Sequence, residues 1–185
     1  MPSRRALQQL DLGLYVLIGS LSMFFMGSVL AFGIIRYQSK FPLTGVPPLL
    51  WASTGVLLAG SFMLQRALWL VRRERQAEFR LSVFFAWLAG IAFCVLQGVG
   101  LAQLMARHQA SVATTNPVSG MLFVLVLMHM LHFLAGVIAL TYVVRRAWQG
   151  RYDHEYHPGV KMTAIYWLFL DVVWLIMFST FLIFA

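Results

Sequence analysis

The chain has 185 residues, 61% of them hydrophobic and 11% charged, with a formal net charge of +8. So apolar a composition leaves little chain for anything soluble and reads as an integral membrane protein, since about 20 consecutive apolar residues cross a bilayer as a helix. A nucleic-acid partner, which such basicity would suggest in a soluble protein, is excluded because the charges fall where membrane topology puts them.

The first span runs from Leu12 to Ile35. Arg4 and Arg5 precede it as they would in a signal peptide, but its apolar run has 24 residues and no small-residue cleavage pattern follows, so it reads as a retained helix. Ser20, Gly27, Ser28 and Ala31 are its small residues for packing against a neighbour. The second span, Leu49 to Val71, carries Arg66 near its end and is announced by Pro47 and Pro48, which suit a first helical turn. The third, Leu81 to Ala106, carries Ala86, Gly90, Cys94, Gly98 and Ala102 at four-residue spacing, a stripe for close helix approach. Cys94 is the only cysteine, so no intrachain disulfide can form.

The fourth span, Val118 to Val144, opens after Asn116 and Pro117 and places His129, His132, Gly136 and Ala139 on one face. A basic loop follows. Its string DHEYH, residues 153–157, offers His154, Glu155 and His157 to a metal only loosely, without an established ligand spacing, and reads as a solvated or partner-contacting loop. The fifth span, Met162 to Ala185, carries a stripe of Trp167, Asp171, Trp174 and Phe178.

The short connections predict antiparallel neighbours, hence an all-α fold: a polytopic membrane protein in which 1–185 form a single membrane domain, a five-helix up-and-down bundle. If the spans alternate, Arg4, Arg5, Arg66, Arg72, Arg73, Arg75, Arg80, Arg145, Arg146, Arg151 and Lys161 collect on one side, against Arg36, Lys40 and Arg107 on the other. That asymmetry predicts a cytoplasmic N-terminus and an external C-terminus in the cytoplasmic (inner) membrane of a bacterium. The cluster Arg72, Arg73, Arg75 and the pair Arg145, Arg146 fall at headgroup level, where they serve as topology signals and as contacts for lipid headgroups.

Asp171 is the one charge between Lys161 and the C-terminus. An aspartate at the centre of a membrane helix costs about 2.5–3.5 kcal/mol by insertion scales, so it is expected to find a partner. His132 sits at a similar depth, by the helical rise of about 1.5 Å per residue. The expectation is that helices four and five face each other through their stripes, with His132 or an adjacent polar group hydrogen-bonding Asp171, and with His129 beside them. This pair reads as structural glue, or as a proton-linked site. A haem held by two histidines is excluded here, because His129 and His132 share one side of one helix while His108, His154 and His157 are expected in loops. Nucleophile–base pairs, a phosphate-binding glycine loop and paired carboxylates are all missing, so the chain reads as a subunit without a catalytic or metal centre of its own. A reading from another class, a small ion-coupled transporter using Asp171, would need helices broken at the midplane.

The string HMLHFLAG, residues 129–136, followed by HPGVKMTAIYWLFLDVVWL, residues 157–175, closely resembles the last two helices of cytochrome c oxidase subunit III. In the first helix Ser20 with Met23, Phe24 and Phe25 resembles the family's signature, and PLL at 48–50 and LQ at 96–97, with Gln97, fall where the family has them. His129, His132 and Gly136 match its fourth-helix motif, and Tyr166, Trp167, Asp171 and Trp174 match its last helix. The match is to the five-helix form, without the first two helices of the seven-helix version.

The resemblance implies a non-catalytic accessory subunit of a haem-copper terminal oxidase in aerobic electron transport. Such a subunit would bind beside catalytic subunit I, which holds the haems and copper, and alongside other oxidase subunits. It would carry phospholipid in a cleft, stabilise the catalytic subunit and support its proton uptake. Four positions depart from the pattern. Leu21 and Gly100 stand where intramembrane Glu is usual, Lys161 replaces a Glu after Gly159, and Leu168 replaces a His. The scaffold survives while its proton-linked chemistry is thinned, which suits a divergent branch: the third subunit of an unusual oxidase, or the related small protein that accompanies nitric oxide reductase.

Overall fold

The computed structural model describes residues 4–38, 48–110, 117–152 and 157–184, and these form α1 (Arg4–Gln38), α2 (Pro48–Arg72), α3 (Gln76–Ala110), α4 (Pro117–Trp148) and α5 (Pro158–Phe184). Each is long and apolar enough to cross a membrane, and the protein is a multi-pass helical membrane protein. Pro47, Asn116, Lys40, His154 and Glu155 lie outside the described residues.

The helices outrun the apolar spans that announce them. At 35 residues each, α1 and α3 are roughly 50 Å long, against about 30 Å of hydrocarbon. Apolar spans end where charges begin, but a helix continues until something stops its backbone hydrogen bonds, and charged side chains are tolerated at headgroup depth. His108 therefore falls inside α3, not in a loop, and α5 begins four residues earlier than expected. Pro48, Pro117 and Pro158 each open a helix, where a missing N–H costs nothing.

Two helices stop in the same way. At the end of α4 the Arg151 N–H reaches back to the Arg146 carbonyl (3.1 Å) and the Gly150 N–H to that of Ala147 (3.1 Å), with Gly150 in the left-handed region at φ 67°. This is a Schellman cap. The end of α2 repeats it, Arg75 bonding to Leu70 (3.2 Å) and Glu74 to Val71 (3.4 Å), but here the left-handed residue at φ 60° is Glu74. The cap turns the chain back within three residues, so α2 and α3 run antiparallel in long contact.

Helices α2, α3, α4 and α5 form a closed ring in which each packs on the next and α5 returns to α2. Helix α1 lies outside it, against α4 and α5. Sequence neighbours were expected to be spatial neighbours, and for α1 and α2 this fails: the described residues of the two do not pack together. The ring encloses one core, built around Leu57, Phe79, Phe93, Phe133, Trp167 and Trp174. A second core, including Phe25, Phe32, Leu125, Met177 and Phe181, seats α1.

Small residues set the distances inside the ring. A Cβ at Gly60 would lie 2.9 Å from the Ala89 Cβ, so α2 and α3 touch almost backbone to backbone. The α3 stripe is only partly used this way. Ala86 is buried and Gly90 makes room for the Trp167 indole, while Ala102 faces outward. On α1 the expectation fails, because Gly27 has open space beside it and Ser20 is exposed. Helix α1 is seated by large rings instead: Phe32 meets Phe181 edge-on at 5.5 Å, and Phe25 packs on both histidines of α4. At the end carrying the α2–α3 turn, Glu78 pairs with Arg75 and with Arg66 (3.7 Å), and Lys161 of α5 reaches Asp11 of α1 (3.4 Å).

Replacing Gly150 by alanine forces a Cβ into the left-handed region, which costs about 1–2 kcal/mol. A lowered thermal unfolding midpoint in detergent is the expected outcome for Gly150→Ala, measured beside the parent chain.

Candidate functional site

Asp171 is 3% exposed and points at α2, not at α4. Its Oδ2 hydrogen-bonds with the Ser61 hydroxyl. The indole N–H of Trp167, one turn earlier on α5, donates to that same hydroxyl at 3.1 Å, and the Trp174 N–H donates to Thr54 Oγ1 at 3.0 Å. Antiparallel register explains the pairing. Moving from Trp167 to Trp174 takes seven residues along α5, and moving from Ser61 to Thr54 takes seven back along α2, so each tryptophan meets a hydroxyl of the facing helix. The hydroxyls in turn bond their own helix, Ser61 to the Leu57 carbonyl (2.9 Å) and Thr54 to that of Leu50 (2.7 Å).

The expected Asp171–histidine hydrogen bond is therefore absent. Helices α4 and α5 do pack on each other, but of the predicted stripes only His129 and Trp174 meet: Asp171 and Phe178 turn to α2, Ala139 is exposed, and what lies between α4 and α5 is aromatic. Trp174 stacks on the His129 ring (5.5 Å between centroids, 28° apart) and Trp167 lies against Phe133 at 4.7 Å. The α5 stripe sits in the groove between α2 and α4. Its flat faces rest on the rings of α4, while its polar tips reach the hydroxyls of α2, which can turn to meet them.

His129 is 1% exposed, and neither ring nitrogen has a hydrogen-bond partner. His132 Nδ1 lies 2.6 Å from the Met128 carbonyl oxygen, which can only accept, so that nitrogen carries a proton. Its own carbonyl accepts from Tyr166 Oη at 3.1 Å, a second α4–α5 link, and Gly136 keeps Tyr166 and Leu170 close: a Cβ there would meet both at 3.3–3.4 Å. Gln97, buried on α3, donates to Ser53 Oγ (3.1 Å) and leaves its Oε1 without a partner. On the far side of the ring Trp87 of α3 donates to Thr141 of α4 at 2.8 Å.

Of the residues that carry the family resemblance, Phe25, Gln97, Gly136, Trp167 and Trp174 are buried and Tyr166 partly so, whereas Ser20, Met23 and Phe24 face outward. Ser53, Thr54, Ser61 and Thr141 escaped the sequence reading. The signal was there: Thr54 and Ser61 stand one heptad apart, matching the spacing of Trp167 and Trp174.

Three of the four departing residues have structural partners of their own. Leu21 packs on the core that seats α1, Gly100 is buried beside Leu50, Lys161 pairs with Asp11, and Leu168 is exposed. Among the arginines, Arg73 lies over the Trp69 ring at 4.0 Å and Arg146 over Tyr142 at 4.6 Å, while Arg72 and Arg145 are exposed. No three His, Cys, Asp or Glu among the described residues converge as metal ligands.

Residues 4–185 match the protein-family model described as cytochrome c oxidase subunit III. Known proteins similar to the chain include cytochrome c oxidase subunit 3 of Thermostichus vulcanus, 26% identical over 91% of this chain and 84% of that protein. That of Synechocystis sp. is 28% identical over 90% and 72% respectively, and that of Gallus gallus 27% identical over 91% and 67%.

Removing the Ser61 hydroxyl strands two buried groups, Asp171 and the Trp167 N–H, whereas Thr54→Val strands one. Ser61→Ala is expected to cost about 3 kcal/mol and Thr54→Val about 1–2 kcal/mol in unfolding measurements. A double-mutant cycle should give a coupling of about 1 kcal/mol between Asp171 and Ser61 and none between Asp171 and His132.

Proposed function

The chain belongs to the cytochrome c oxidase subunit III family, and on that premise we propose that it acts as a non-catalytic scaffold subunit of a haem-copper terminal oxidase, seated against catalytic subunit I. The observation that carries this reading is the family match across residues 4–185, which takes in all five helices. Haems and copper belong to the catalytic subunit in this reading. The relatives carry the name of an oxidase subunit, which favours an oxidase over a nitric oxide reductase as the complex.

The internal chemistry favours support over proton transfer. Asp171 is tied to Ser61, and positions where carboxylates were expected hold Leu21, Gly100 and Lys161. A contribution to proton uptake is then indirect, through the shape of the catalytic subunit. Helices α4 and α5 run unbroken through the membrane, which disfavours a transporter built on Asp171.

Phospholipid is the second proposed partner. An apolar groove of about 370 Å³ between α1 and α5, lined by Phe25, Met26, Val29, Phe169 and Val173, suits an acyl chain. Exposed Arg72 and Arg145, with Arg73 and Arg146 laid over aromatic rings, suit headgroups. The proposed setting is a bacterial cytoplasmic membrane with the basic end facing the cytoplasm, on the strength of the charge asymmetry.

Mild-detergent purification of a tagged chain is expected to bring down a haem-copper catalytic subunit, identified by mass spectrometry and by the visible spectrum of its haems. Recovery of the chain without such a partner, or with haem bound to the chain alone, would refute the assignment.

A further inference from the structure

We propose that Asp171 is held inside the bundle as a neutral carboxylic acid that donates its proton to Ser61, making it a hydrogen-bond donor that positions α5 on α2. The argument is a count of hydrogens. A serine hydroxyl has one hydrogen and two lone pairs, and Ser61 Oγ has three neighbours: the Leu57 carbonyl, the Trp167 N–H and Asp171 Oδ2. The Leu57 carbonyl can only accept, so its 2.9 Å contact is a hydrogen bond only when the hydroxyl hydrogen points to it. An indole N–H can only donate, so it takes one lone pair. The remaining lone pair faces Asp171 Oδ2, and that contact is a hydrogen bond only if Oδ2 carries the hydrogen.

An ionised carboxylate breaks this arrangement. It would draw the single hydroxyl hydrogen to itself and leave the Ser61 oxygen facing the Leu57 oxygen at 2.9 Å with no hydrogen between them. Its other oxygen would carry negative charge with no donor, because Asp171 Oδ1 is buried and has no hydrogen-bond partner. An unmatched carbonyl oxygen of a neutral acid is far cheaper to bury than half a carboxylate.

No cation offsets such a charge among the described residues. On α2 the next basic group, Arg66, is paired with Glu78 at the helix end. On α3 the residue facing Trp167 is Gly90. On α4 the His129 nitrogens are unpartnered, and His132 is engaged with its own helix. With the proton on Asp171 each hydrogen in the knot has one acceptor, and the acid serves as a fixed joint, not as a relay. The inference stands on geometry within this chain and does not depend on which complex the chain joins.

The chain contains three aspartates, Asp11, Asp153 and Asp171, so labelling aspartate with carbon-13 at the side-chain carboxyl makes the acid visible by infrared spectroscopy. The full-length chain in lipid vesicles at neutral pH should show the carbonyl stretch of a neutral carboxylic acid. That band should vanish in Asp171→Asn and shift in Ser61→Ala. Asp171→Asn, which keeps a donor, should retain the parent unfolding midpoint, whereas Asp171→Leu should lower it. A spectrum with carboxylate stretches alone, a band unmoved by Ser61→Ala, or Asp171→Asn as damaging as Asp171→Leu would overturn the proposal; should Ser61→Ala fail to fold, the asparagine comparison still decides it.

Discussion

A helix bundle in lipid has no water with which to settle its internal polar groups, so each must be settled by another part of the protein. Here that constraint is met along the line where α5 lies on α2. Trp167 and Trp174 each send an indole N–H across to a hydroxyl, and Asp171 joins the first of these contacts. Because both helices present their groups at heptad spacing in antiparallel register, one correct contact implies the other. A slip of the register would strand two indoles and a carboxyl at once, which makes the seam a specifier of the fold as well as a source of stability.

Other features follow from housing these large side chains. The Trp167 indole needs volume inside the ring, and Gly90 supplies it: a Cβ there would lie 2.6 Å from the ring edge. Trp174 needs a flat support, and the His129 ring provides one. His129 thus contributes as an aromatic surface, and its position between Trp174 and Phe25 carries contact from α5 through α4 to α1. The ring of four helices and the outer helix meet through edge-to-face aromatic contacts, Phe25 on His129 and His132 and Phe32 on Phe181. That suits a subunit whose proposed task is to hold its shape against a larger neighbour.

Helix α1 has a different character. It is the least buried of the five, contacts only α4 and α5 among the described residues, and leaves Met23, Met26, Leu30 and Tyr37 facing outward. Its glycines meet open space, so the small residues that suggested close packing have no partner within the chain. The same residue pattern gives close approach in α2 and α3 and none in α1, because a small side chain permits contact but does not attract a neighbour. Large rings did the attracting, and they point to α4 and α5.

Five membrane helices, their approximate spans and the burial of Asp171 were determined by the sequence alone, since length, hydropathy and a rare charge in an apolar run are local properties, and the strings 129–136 and 157–175 carried the resemblance to the subunit family. Helix ends were less legible: an apolar span stops at the first charge, whereas a helix stops at a cap such as Gly150 or Glu74. The partner of Asp171 was decided only by the tertiary structure. Two helices offered it polar groups, histidines on α4 and hydroxyls on α2, and the heptad that Thr54 and Ser61 share with Trp167 and Trp174 does not by itself say which helix the polar edge of α5 faces. Rotation of α5 in the groove chose between them, turning its indole faces to α4 and its N–H groups and carboxyl to α2, because a rigid ring needs a matching flat surface whereas a short hydroxyl can turn to meet its partner.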